Sequence, residues 1–376
     1  MSRPKSQAFS GFFLSGFLLS LLGAALPGWG FHLTDDHATA GWLFFAAGAG
    51  LLAAHLIRRS TISASAACGL AALALLCIGF FPAPVRFVIQ FAAWLIVGFA
   101  SGILNLALME ALGQEYRASP SSAIARAAIY FLLGCTASAL LVSLGFRFGF
   151  VFQGPAVLSL LPASFGIGYF RKPLENRTAP GRSEPFLTAF SRPGLLVVVV
   201  LLFLQAGSAG VVAGWLPIFL SHRIGLGPED ALWFLTLYWF ALIAGLLGAW
   251  YLLTSFSWGR ILLISSSAVL ASCLLLSSTD NTLGAAVAII LIALSFSGLS
   301  CLLAQNLSRR LPDYHPRILN RIFTITLSGG FFSAWIAGLL AAAWGLTAIL
   351  ILPAFYTAAA TGLLLVLWLE SKVTGR

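Results

Sequence analysis

The sequence predicts an all-α membrane protein of twelve transmembrane helices arranged as two six-helix halves. Three observations carry that expectation. The chain is 60% hydrophobic and only 9% charged, with a mean hydropathy of +0.97, whereas a soluble domain carries roughly a quarter charged residues. Twelve apolar runs, each close to the ~20 residues that cross a bilayer, fill its 376 residues. Between the sixth and seventh runs, residues 171–194 (RKPLENRTAPGRSEPFLTAFSRPG) hold five basic residues, four prolines and two glycines, which rule out a continuous helix. The chain therefore divides into an N-terminal half (1–170), a cytoplasmic linker (171–194) and a C-terminal half (195–376). Many secondary transporters are built this way.

In order, the first-half spans are Ala8–Trp29, Ala40–Ile57, Thr61–Phe81, Phe87–Leu112, Ser122–Leu144 and Phe150–Phe170. The second-half spans are Leu195–Leu220, Leu232–Leu253, Ile261–Leu276, Leu283–Leu307, Ile322–Trp344 and Leu346–Leu369. Placing the N-terminus inside puts seventeen of the twenty-one Lys and Arg in cytoplasmic segments, which orients both termini toward the cytoplasm. The net charge of +10 thus belongs to loops on one membrane face and does not indicate nucleic acid. The first apolar run is too long for a signal-peptide core. Tryptophans near span ends (Trp29, Trp215, Trp258, Trp344, Trp368) suit interface anchoring. Glycines within spans suit close helix packing.

Enzyme chemistry is not indicated. There is no G-x-x-x-x-G-K-[ST] phosphate loop and no room for a soluble catalytic domain. The five cysteines sit in apolar runs without C-x-x-C spacing, as buried small hydrophobes do. His32, Asp35, Asp36 and His37 share the first external loop. Capping of the second helix by Asp36 or Thr39 accounts for them better than a metal site, so neither metal nor cofactor is expected.

Two stretches carry a family resemblance. Gly50-Leu51-Leu52-Ala53-Ala54-His55-Leu56-Ile57-Arg58-Arg59 follows the spacing of the loop signature of the major facilitator superfamily, matching at Gly50, Arg58 and Arg59. The seventh helix, Leu204-Gln205-Ala206-Gly207-Ser208-Ala209-Gly210-Val211-Val212-Ala213-Gly214-Trp215-Leu216-Pro217, resembles the G-A-E-V-x-x-G-x-W-L-P pattern of the fucose and glucose permease-like branch. Gly102 to Met109 in the fourth helix resembles that branch's G-x-L-E-x-A-x-N. At the acidic positions of these patterns stand Ala54, Ala209 and Asn105. The resemblance implies the major facilitator fold, a sugar substrate, and a cavity lined by the first, fourth, seventh and tenth helices.

A polar side chain within hydrocarbon needs a partner or a cavity. Gln205 and Ser208 share a face near the midplane of the seventh helix, Asn105 lies in the fourth, and Ser297, Ser300, Gln305 and Asn306 lie in the tenth. Amides both donate and accept, which suits neutral hydroxyls, and Trp335, Tyr238 and Trp239 offer rings to stack on a sugar. Glu110 and Arg126, about one turn inside the cytoplasmic ends of their helices, are expected to pair as a gate or a structural bridge. Arg58 and Arg59 belong to the cytoplasmic latch that the resemblance implies. The function expected is therefore transport of a small neutral polar solute, a sugar, by a monomer in the cytoplasmic membrane. The alternatives are an exporter of amphipathic compounds or lipids, and a non-transporting scaffold or sensor. Because no carboxylate or histidine lies near a span centre, flux is expected to be uncoupled.

Overall fold

The computed structural model describes all residues except 1–3, 32, 34–35, 57–61, 82–86, 151–152, 175–192, 256–257, 311–315 and 375–376. Within helices, the side chains of 4–6, 56, 114, 117, 193–194, 250, 252–255, 258–259, 305–306, 308–310, 316–317 and 367–374 are likewise not described. The described chain is helical throughout. Its helices are α1 (Pro4–Ala25), α2 (His37–Ala53), α3 (Ala64–Phe80), α4 (Phe87–Ala111), α5 (Gly113–Ala118), α6 (Pro120–Arg147), α7 (Gly154–Leu158) and α8 (Leu160–Arg171). After the linker come α9 (Pro193–Ile224), α10 (Pro228–Ser255), α11 (Trp258–Ser278), α12 (Thr282–Arg310), α13 (Pro316–Trp344) and α14 (Ile351–Thr374).

Nine of these helices are long and apolar enough to cross a membrane, and α2 and α3, at 17 residues each, are shorter apolar helices. The run expected to form the sixth span is broken into α7 and α8. Pro155 opens α7 and Pro162 falls in the first turn of α8; at helix starts the missing N–H is no loss. At the junction, Ser159 Oγ donates to the Ala156 carbonyl at 2.6 Å. Local caps follow the sequence elsewhere. Asp36 accepts from Thr39 N at 3.2 Å at the start of α2, and Ser63 accepts from Ala66 N at 3.2 Å at the start of α3. Most of the central linker lies outside the described residues.

The helices pack in pairs, and the pairs recur. Before the linker, α1 packs on α6, α2 on α4, α3 on α4, and α3 on α7 and α8. After it, α9 packs on α13, α10 on α12, α11 on α12, and α11 on α14. The two sets then meet through α2 on α13, α6 on α10 and α1 on α9. Glycine sets the closest approaches. A Cβ on Gly16 of α1 would lie 1.9 Å from the Phe131 carbonyl oxygen of α6, and one on Gly134 of α6 would lie 1.9 Å from that of Phe13. In the corresponding later pair, a Cβ on Gly210 would lie 2.5 Å from the Gly330 Cα. Gly50, read from the sequence as part of a loop signature, is itself such a contact: a Cβ there would lie 1.9 Å from the Leu95 carbonyl oxygen of α4.

Candidate functional site

Where the two sets of helices meet they line a partly open cavity of about 280 Å³. Side chains of α1, α2 and α6 form one wall, and those of α9, α10, α12 and α13 form the other. The α9 contribution is a stripe of small residues: Ala206, Ala209, Gly210, Ala213 and Gly214. Spacings of three and four place them on one helical face, so Gly210 and Gly214 of the seventh-helix motif belong to the cavity wall, whereas Gly207 faces Ser333 and Tyr356. Aromatic rings face them across the space: Phe44, Phe131, Trp239, Phe296, Phe323 and Phe331. None of the described lining side chains carries a charge.

Both ends of the cavity are bounded by contacts between the two sets. Toward the end where α1 finishes, α1 crosses α9 so closely that a Cβ on Gly23 would lie 2.7 Å from the Ala213 carbonyl oxygen. Beyond that crossing, the His37 ring of α2 meets Trp215 of α9 edge-on at 5.9 Å, and Trp215 is held within its own set by Nε1 donating to the Ala334 carbonyl at 2.8 Å. Farther out, Ser143 of α6 donates to the Glu229 carbonyl at the start of α10, at 3.4 Å. Toward the end where α1 begins, the Phe323 ring stands edge-on to Phe12 at 6.3 Å and to Phe131 at 6.0 Å.

The residues picked from the sequence divide by position. Trp239 lines the cavity, and its indole Nε1 is buried without a hydrogen-bond partner among the described residues. Ser297 and Ser300 line it too. Gln205 is buried beside the wall and donates from Nε2 to the carbonyl of the lining residue Phe296 at 3.1 Å, so it ties α9 to α12. Asn105 is fully buried and accepts from Ser15 Oγ at 2.6 Å, tying α4 to α1. Ser208 donates to Leu204 in its own helix at 3.1 Å. Tyr238 donates to the Ala209 carbonyl at 3.4 Å, behind the wall. Trp335 packs at tilted angles against Trp42 and Phe45, at 5.2 and 5.0 Å, on the α2–α13 seam. The side chains of Gln305 and Asn306, and all of Arg58 and Arg59, lie outside the described residues.

Two expectations are corrected by this geometry. Arg126 pairs with Glu115 at 3.1 Å and stacks over Phe9 at 5.4 Å; the expected pair with Glu110 is replaced. The six-residue helix α5 is the cause, because it carries Glu115 back alongside the first turns of α6. The fourth helix, expected to line the cavity, contributes no described lining side chain, whereas α6, α10 and α13 do. The lining phenylalanines escaped the sequence reading. With 31 phenylalanines in the chain, and apolar residues facing both neighbours and lipid, periodicity does not mark a cavity face. For Phe44, Phe131, Phe296 and Phe331 the one available signal was position near the middle of their helices; Phe323, close to the start of its helix, lacked even that.

No protein-family model matches the sequence, and no curated protein matches it significantly. Among solved structures, the nucleoside transporter NupG superposes with a TM-score of 0.68 at 14% identity, covering 96% of this chain and 97% of that one. A single-residue variant of NupG superposes with a TM-score of 0.67 at 15% identity, covering 96% of this chain and 98% of that one. Both are structures of a transporter, and the likeness does not single out the fucose and glucose permease-like branch. At such identities the fold is what is shared: the chain is an all-helical membrane protein with the fold of these transporters.

Proposed function

We propose that this protein is a secondary transporter that moves a small uncharged solute across the cytoplasmic membrane by alternating access. In this reading, twelve spans form two halves, 1–170 and 195–376, with both termini and the 171–194 linker on the cytoplasmic side. The recurrence of helix pairs and glycine contacts before and after the linker supports the two halves. The observation that carries the function is the uncharged cavity on the seam between them, which is where a rocking-bundle transporter holds its solute. Gln205 takes part by fixing the Phe296 wall, and Arg126 with Glu115 by joining α5 to α6 near the end where Phe323 stands.

For the solute, the sequence resemblance implied a sugar, whereas the structural relatives carry nucleosides. The aromatic lining favours the nucleoside, because a flat base stacks on Phe and Trp rings for about 0.5–1.5 kcal/mol per pair. A sugar brings several hydroxyls to a wall with few partners for them.

Cys135, which lines the cavity, allows a test of alternating access without a known solute. In a variant with Cys68, Cys77, Cys273 and Cys301 replaced by serine, a membrane-impermeant thiol reagent should modify Cys135 from either membrane face. Modification from only one face would overturn the transport reading in favour of a scaffold. For the solute, counterflow in proteoliposomes should be faster with uridine than with glucose, and the reverse order would restore the sugar.

A further inference from the structure

At the end where α1 finishes, two histidines meet across the seam between the two sets of helices. His37 opens α2 and is buried, 3% exposed. His222 lies in the last turn of α9 and is exposed. Their rings stand edge-on with centroids 5.6 Å apart, and the His37 ring also meets Trp215 of α9. The start of α2 is pressed against α13 as well, where a Cβ on Gly338 would lie 2.8 Å from the His37 carbonyl oxygen. Nothing in the sequence pairs positions 37 and 222; only the fold brings them together.

Imidazole is the side chain that ordinarily gains its charge between about pH 5 and 8. In the closed seam a charged His37 is disfavoured for three reasons. Burial takes the charge out of water, the start of α2 is the positive end of a helix dipole, and a charged His222 stands beside it. His222 itself ends α9, where a helix favours a cation. Of the described charged groups around the pair, Asp36 caps Thr39 N at 3.2 Å and Arg223 pairs with Asp280 at 2.9 Å. Glu229 and Asp230 open α10, which packs on α9. The facing stretch of α13, residues 331–344, carries none. His32 and Asp35, in the same loop as His37, lie outside the described residues.

We propose that His37 and His222 form a proton-operated latch on this seam, closed while His37 is neutral and released when acid on that face charges both rings. Its consequence rests on the transport reading, in which that face is the external one. The pair lies beyond the Gly23 crossing from the cavity, so its protons bind and leave on one face. External acid then changes how often the cavity opens outward, and drives no accumulation of solute.

The test reads the seam directly and needs no solute. Spin labels are placed by Leu33→Cys and Leu283→Cys, at exposed positions on the two sets, with the five native cysteines replaced by serine. Electron–electron distance distributions are recorded in proteoliposomes at pH 8 and pH 5. Two positive charges 5.6 Å apart raise the open-to-closed ratio by about threefold in a water-like dielectric and about a hundredfold in a surface-like one. A longer-distance population should therefore grow at pH 5. His37→Gln should hold the pH 5 distribution at its pH 8 form, and His222→Gln should reduce the growth. No growth in the parent, or growth that persists in His37→Gln, would overturn the latch. Should His37→Gln fail to fold, His222→Gln at the exposed partner decides, and growth equal to the parent's overturns it. Two-sided Cys135 modification with a pH-independent seam would keep the transport reading and end the latch. A pH-dependent seam with Cys135 modified from one face only would keep the latch and end the transport reading.

Discussion

Gly16 and Gly134 make the sharpest stability prediction, because each stands against the other helix's backbone. A Cβ at either position would lie 1.9 Å from a carbonyl oxygen, Phe131 for one and Phe13 for the other. No Cβ approaches closer than 3.0 Å, so Gly16→Ala must push α1 and α6 apart by at least about 1.1 Å. Backbone atoms have no rotamer to yield by. Overpacking of this kind costs about 1–3 kcal/mol, which corresponds to a fall of about 1–4 °C in thermal midpoint for a chain of this length. Gly69 and Gly362 are internal controls, since a Cβ at either meets nothing within 4 Å. There, alanine should match the parent or raise the midpoint, because it removes the cost of about 0.5–1 kcal/mol that glycine carries in a helix. Midpoints compared at one scan rate in one detergent provide the assay. Gly16→Ala melting with the parent, or no lower than Gly69→Ala, would refute the claim that α1 and α6 touch backbone to backbone.

Four further outcomes are expected. Ser15→Ala should lower the melting midpoint, since stranding the buried Asn105 oxygen costs about 1–3 kcal/mol, whereas Ser208→Ala, which loses only a bond within its own helix, should stay within about 0.5 kcal/mol. Phe323→Ala should speed modification of Cys135 by reagent added from the side where α1 begins, because it removes the ring standing between Phe12 and Phe131; an unchanged rate would deny Phe323 a gating role. Arg126→Gln should cost under about 1 kcal/mol, because the Arg126 side chain of the Glu115 pair is 45% exposed, and a larger loss in thermal melts would show the pair to be a structural anchor. In proteoliposomes, solute should equilibrate without accumulating under an imposed proton or sodium gradient, and uphill accumulation under either would reinstate coupling.

The fold was legible because its signal is additive. Long apolar runs and a scarcity of charge both point to an all-helical membrane protein, and no single residue decides the matter. A helix end was readable where a local cap marks it, as at Asp36; the Ser63 cap went unread, since the expected third span begins at Thr61. The breaks were less so: α5 lies in a stretch read as a loop, and the α7–α8 junction lies inside a run read as one span. The site was legible only in part, for a physical reason. A buried amide in a membrane helix must bond to something, but sequence does not reveal whether that partner is a solute or a neighbouring helix. Gln205 and Asn105 found helices. Trp239, Ser297 and Ser300 fall on the cavity, and Phe131 and Phe323 reach it from helices that no motif marked.

The two positions where the resembled permeases carry an acid are resolved in different ways, and together they define the site. Ala209 stands in the cavity wall, so the missing carboxylate is a charge missing from the cavity itself. Asn105 is turned away into a bond with Ser15, so the second missing charge has become a helix tie. A carboxylate in the wall would have to be hydrated, paired or protonated at every stage of a transport cycle, because a charge at the middle of a bilayer costs about 2.5–3.5 kcal/mol even on insertion scales. Alanine and asparagine remove that requirement. Reorienting such a cavity, empty or loaded with a neutral solute, carries no charge from its described lining across the membrane. Neither membrane potential nor pH then acts on the cavity to bias the step. What remains to distinguish the loaded state from the empty one is contact between the solute and carbon, at about 25 cal/mol per Å² of apolar surface removed from water. The ring-lined wall provides for that contact, and under the proposed transport reading the same loss of charge makes driven uptake unexpected.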